Sequence, residues 1–99
     1  MAKITSIMTE PEMVREIARR VRELRLAEGL RQETLANRSG VSLGTLKAFE
    51  RTGRISLERL AALLVALHRG HELDSLAAPG PLRSLEEIEN PPERRRGTR

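Results

Sequence analysis

Two opposite charges stand where apolar side chains are expected. Arg25 falls four residues after Val21 and eleven after Val14, on the apolar row of the first helical pattern. Glu50 falls four after Leu46, on the apolar row of the third. An unpaired buried charge is costly, so two opposite ones on inward faces are expected to meet. Removing one partner of such a pair strands the other, at about 3–5 kcal/mol. The alternative is that both lie at stripe edges and reach water.

Other reactive side chains are sparse. His68 and His71, with Glu72 adjacent, are metal-ligand types, but Gly70 between them works against a continuous helical face. Histidines at a helix end, near its terminal carbonyls, are the simpler reading. Ser, Thr and Asp form no nucleophile arrangement, and no Gly-rich phosphate loop occurs. The expectation is a protein that is not an enzyme, with no cofactor and no metal.

Cations are more informative. The net charge is +4. The middle of the chain sets Arg31, Arg38, Lys47, Arg51, Arg54 and Arg59 against Glu33, Glu50 and Glu58. An acidic stretch follows, from Glu72 to Glu93, and then "RRRGTR". A basic–acidic–basic order points to a polyanion-binding middle, although charge alone also fits an ordinary solvated surface.

These residues need elements to hold them. Ninety-nine residues make one domain with a tail. A domain of this size buries a limited core, so a homodimer is expected. There is no cysteine, hence no disulfide framework or thiolate metal site. No signal-peptide run and no 18-residue apolar stretch is present; the expectation is a cytosolic protein with no membrane partner. Phe49 is the single aromatic. The core must therefore be leucine, and base stacking on aromatic platforms is excluded.

The patterning predicts an all-α chain. Thr9 and Glu12 form a capping box, with Pro11 in the first turn and Met8 and Met13 at staple positions. Val14, Ile17, Ala18, Val21 and Leu24 continue the first helix, and Gly29 ends it. "RQETLANRSG" is a short second helix with Leu35 and Ala36 inward. Val41 plugs the following turn. Ser42 caps a third helix with Leu46 and Phe49 inward. Ser56 caps a fourth, with Leu57, Leu60, Ala61, Leu64 and Leu67 as its stripe. "HELDSLAA" is a fifth, short helix. "KITSI" alternates weakly, and no other strand signal occurs. The expected organisation is an extension over 1–8, a helical domain over 9–78 and a largely extended tail over 79–99. The tail carries one helical motif, Ser84 to Ile88, with Leu82, Leu85 and Ile88 three apart.

Residues 17–67 resemble the lambda repressor/Cro class of helix-turn-helix domains, the XRE family. The likeness is carried by "RELR…G", Gln32 opening helix 2, Leu35-Ala36, Gly40-Val41 in the turn, and Phe49-Glu50 ending helix 3. It implies a five-helix lambda-repressor-like fold, in which the positions of Arg25 and Glu50 join helices 1 and 3 as an ion pair. It also implies a dimeric repressor on an inverted-repeat operator in double-stranded DNA, in the bacterial cytoplasm on the nucleoid. Helix 3 would enter the major groove with Ser42, Leu43, Gly44, Thr45, Lys47 and Ala48 over the base edges. Gln32 and Arg51 match phosphate contacts, and Arg31 and Arg54 are further candidates. The pattern departs from the family at Arg31, where Thr or Ser usually caps, and in the absence of glutamines from helix 3. Lys47 is left as the strong donor to guanine, and DNA shape should contribute.

The run "SGVSLGTLKAFERTGRISLERL", then "PLRSLEEIE" and a basic end, is similar to the small HipB-like antitoxins encoded beside HipA-type kinase toxins. That resemblance implies operon autoregulation and contact with a kinase-like toxin, for which Leu82, Leu85 and Ile88 are the candidate motif. The same segment could equally fold back on its own domain. A stand-alone, phage-type repressor and an interaction module that no longer binds DNA are the alternatives.

Overall fold

The computed structural model describes residues 3–80. Within them, helix boundaries follow the caps. Helix α1 spans Glu10–Ala27. It is opened by Thr9, whose hydroxyl accepts from the Glu12 amide at 3.3 Å, while the Glu12 carboxylate accepts from the Thr9 amide at 2.8 Å. Helix α2 spans Gln32–Ser39, α3 Leu43–Thr52 and α4 Leu57–Ala66; a 3₁₀ helix follows over Gly70–Ser75. Ser42 and Ser56 each accept the amide three residues on, at 3.1 Å. Arg31, before α2, makes no side-chain cap. The fifth element thus winds as 3₁₀ rather than α. No strand occurs among the described residues; the "KITSI" stretch ends in a turn closed by the Met8 amide on the Thr5 carbonyl at 3.1 Å.

Helix α1 packs on α3, α2 lies between α3 and α4, and the 3₁₀ helix leans on α4. The core is Ala18, Val21, Leu35, Ala36, Val41, Leu46, Phe49, Leu63, Leu64 and Leu67. The turn between α2 and α3 is built around Val41. Gly40 closes α2 in the left-handed region, its amide on the Ala36 carbonyl at 2.9 Å, and the Ser39 hydroxyl accepts the Val41 amide at 3.1 Å. Val41 then drops into the core.

Two inward expectations need correction. Val14 is 41% exposed. What Gly53 packs against is chiefly its backbone: a Cβ on Gly53 would lie 2.7 Å from the Val14 carbonyl carbon and oxygen and 2.9 Å from Val14 Cγ2. Gly53 also has φ +84. The turn after α3 therefore needs glycine twice, for its left-handed backbone and for this close approach. On α4, Leu57 is 62% exposed, while Leu63, not expected on the stripe, is fully buried. The buried row is Leu63, Leu64 and Leu67, with Leu60 half-buried beside it. "LERLAALLVAL" is apolar around most of its circumference, so periodicity could not choose between neighbouring rows; packing did.

The expectations for the Ser84–Glu87 capping box, for Leu82, Leu85 and Ile88, and for "RRRGTR" lie outside the described residues.

Candidate nucleic-acid interface

The centre of the site is a carboxylate. Glu50, in the last turns of α3, turns toward α1 with its side chain only 5% exposed. Arg25, near the end of α1, is similarly covered, at 7%. Their contact is two-pronged: Nε donates to Oε2 at 2.7 Å and Nη2 to Oε1 at 3.0 Å. This parallel geometry is the strongest an arginine and a carboxylate can make. The remaining Arg25 nitrogen, Nη1, donates to the Leu30 carbonyl at 2.7 Å, which ties the α1–α2 loop to the same guanidinium. Gln32 adds a third donor from α2, its Nε2 lying 3.0 Å from Glu50 Oε1. Arg22, one turn before Arg25, brings its Nε to 4.0 Å from the same oxygen. Three helices thus converge on one acid, and the angle of α3 is set by that convergence.

The outer side of α3 starts at Ser42. The Ser42 hydroxyl accepts the Thr45 amide and donates to Thr45 Oγ1 at 2.8 Å. Its single proton is therefore spent, whereas the Thr45 proton is not. Leu43, Thr45 and Ala48 are half-buried; Gly44, Lys47 and Arg51 are exposed. A Cβ added at Gly44 would meet nothing within 4 Å. Beyond the helix, Thr52 Oγ1 accepts the Arg54 amide at 3.1 Å and donates to the Ala48 carbonyl at 2.7 Å. Arg54 thereby leaves the turn in a defined direction. Arg31 and Gln32 open α2 beside this face.

Charge pairing differs between this face and the Arg19–Arg20 side of α1. Among the described residues, Arg31, Lys47, Arg51 and Arg54 have no acidic partner within ion-pair distance. On α1, by contrast, Glu16 accepts from Arg19 at 2.8 Å and Arg20 at 2.9 Å, and Arg19 also reaches Glu23 at 2.6 Å. Hydrogen bonding from Arg19, with Arg20 adding to it, outweighs the cost of burial and lowers the Glu16 pKa from 4.5 to about 2.

The Glu16 network was overlooked at the level of sequence, although its i, i+3 and i, i+4 spacings are written there. Arg22 was overlooked too; standing three residues before Arg25, it shares that residue's face. The direction of the Gln32 amide had no sequence signal. His68 takes φ +62 in the turn after α4, which separates it from His71. No cluster of three or more metal-ligating side chains occurs among the described residues. No helix among them is long and apolar enough to cross a membrane.

A short helix, a turn plugged by Val41, and a second helix held at a fixed angle with its outer face open define a helix-turn-helix DNA-binding domain. The helix-turn-helix family matches residues 21–73, just over half of the chain and all of the site, and the chain belongs to that family. It is a DNA-binding transcription regulator of the XRE type. No curated protein and no solved structure matches it.

Proposed function

We propose that the protein represses transcription as a homodimer on an inverted-repeat operator, and that it is the antitoxin of a HipA-like kinase toxin whose operon it regulates. The observation that carries the DNA reading is the set of cations around α3 without acidic partners, beside a helix whose angle is held by Arg25 and Glu50. In this reading Lys47 donates to guanine. Leu43, Ala48 and the Thr45 methyl meet thymine methyls, while Ser42 and the Thr45 hydroxyl supply the remaining polar contact. Gly44 lets the helix backbone come close to the base edges. Arg31, Gln32, Arg51 and Arg54 grip phosphates, which set register rather than sequence. Gln32 spends one amide hydrogen on Glu50 and keeps the second for a phosphate, so helix angle and backbone grip share one side chain.

The antitoxin role draws its support from the resemblance of "SGVSLGTLKAFERTGRISLERL" and "PLRSLEEIE" to that group, with Leu82, Leu85 and Ile88 as the partner contact. Footprinting on the protein's own promoter, with and without the product of the neighbouring gene, tests both layers. The expected result is a footprint of two half-sites about one helical turn apart, extended or tightened by a kinase-like neighbour. A footprint unchanged by the neighbour would make it a stand-alone repressor. Repression that survives alanine at both Lys47 and Arg51 would make it an interaction module.

A further inference from the structure

A groove between α1 and α4, lined by no residue of α2 or α3 among the described residues, is not used by this reading. Its volume is about 440 Å³. Ile17, Val21 and Leu24 of α1 form one wall, and Leu60 and Leu64 of α4 the other. Leu76 stands at its end, a well-exposed leucine just past the 3₁₀ helix. Val21 and Leu64 are buried and Leu24 and Leu60 half-buried, so Leu76 is the exposed leucine of this groove, and covering it would remove apolar surface from water.

The chain supplies a cover of the right kind in the right place. Six residues after Leu76 comes Leu82, then Leu85 and Ile88. Three apolar residues three apart share one face of any helical winding. At roughly 3.3–3.6 Å per residue, six residues hold Leu82 within ~20 Å of the groove's own end. A link this short gives an effective concentration on the order of millimolar. A second copy of the chain must reach a comparable concentration to compete.

We propose that this groove is the docking site for the Leu82–Leu85–Ile88 segment of the same chain. The inference needs only the groove and the segment and stands without the antitoxin reading. If that reading also holds, a partner that takes these three side chains must first displace them from α1 and α4.

The native chain has no cysteine, so a paired-cysteine test has no background. In the full chain, Leu24→Cys with Leu85→Cys is oxidised at micromolar protein. The control pairs Leu85→Cys with Ile7→Cys, a residue 89% exposed and outside the groove. Intramolecular closure at least roughly tenfold faster than the control is expected, given the high effective concentration of a docked segment. Equal rates would overturn the proposal, and so would products that are mainly crosslinked dimers, which would assign the groove to a second copy. A second measurement leaves the groove unaltered. Leu85→Asp should shift the methyl resonances of Leu24, Leu60 and Leu76 and leave those of Leu35 and Leu46 in place. Unmoved groove methyls would also overturn it.

Discussion

The outer face of α1 and the face of α2 and α3 both carry arginines, but they use them differently. On α1, Arg19 and Arg20 are tied to Glu16, and Arg19 also to Glu23. On the α2–α3 face, Arg31, Lys47, Arg51 and Arg54 have no such partners among the described residues, and the one acid of α3, Glu50, is turned inward to Arg25. A neutralised face has little field to offer a polyanion, whereas an unpaired one does. Turning Glu50 inside therefore has two effects. It joins three helices, and it removes a negative charge from the surface where a phosphate would come.

The largest expected effect comes from breaking the inward pair. Glu50→Ala strands Arg25 and leaves Gln32 without its acceptor, and should cost about 3–5 kcal/mol in a denaturant melt. An unchanged melting temperature would mean that the pair holds nothing. Next is the close approach that seats α1 on the end of α3. Gly53→Ala puts a methyl group 2.7 Å from the Val14 backbone at a left-handed φ. The strained φ alone costs about 1–3 kcal/mol, and the contact with backbone adds to it. A loss below that range would show that the turn can shift freely.

Gly44→Ala should separate stability from binding. Nothing inside the protein meets the added methyl, so the helix should gain up to about 1 kcal/mol in thermal unfolding. Operator affinity should fall in the same variant if the backbone approaches DNA at this point. Unchanged affinity would remove Gly44 from the interface.

The smallest effect belongs to the α1 face and shows as a pH dependence. The folded-state pKa of Glu16 lies below its ordinary value, at about 2 against 4.5. Its stabilisation is therefore complete above the ordinary value and lost as pH falls toward 2. Compared with Glu16→Gln in thermal melts, the native chain should hold its advantage at neutral pH and lose it between 4.5 and 2. A constant difference across that window would mean that the Arg19 and Arg20 contacts are not held in solution.

How much of this was legible beforehand depended on the kind of signal. Caps were legible because a hydroxyl three residues before an amide is a local fact: Thr9, Ser42 and Ser56 all act as read. The register of Arg25 and Glu50 was legible because a charge on an apolar row needs an explanation. The row on α4 was not, since nearly every side of that helix is apolar and only the neighbours select Leu63. Nor was the direction of the Gln32 amide, because an amide can donate to an acid or to a phosphate equally well and the choice depends on where α3 puts Glu50. Val14 was misread because a helical row does not reveal where a neighbouring glycine brings backbone to backbone.

The central claim is that unpaired cations on the α2–α3 face, and not the paired ones on α1, grip DNA. The direct test is the salt dependence of binding to the protein's own promoter fragment, for the native chain, Arg51→Ala and Arg19→Ala. With about 3–4 phosphates neutralised per protomer of the proposed dimer, log affinity against log salt should slope at roughly −5 to −7 for the native chain. Arg51→Ala should flatten that slope by ~2, one phosphate from each protomer, and Arg19→Ala should leave it alone. A native slope near zero, or equal flattening by the two substitutions, would contradict the account.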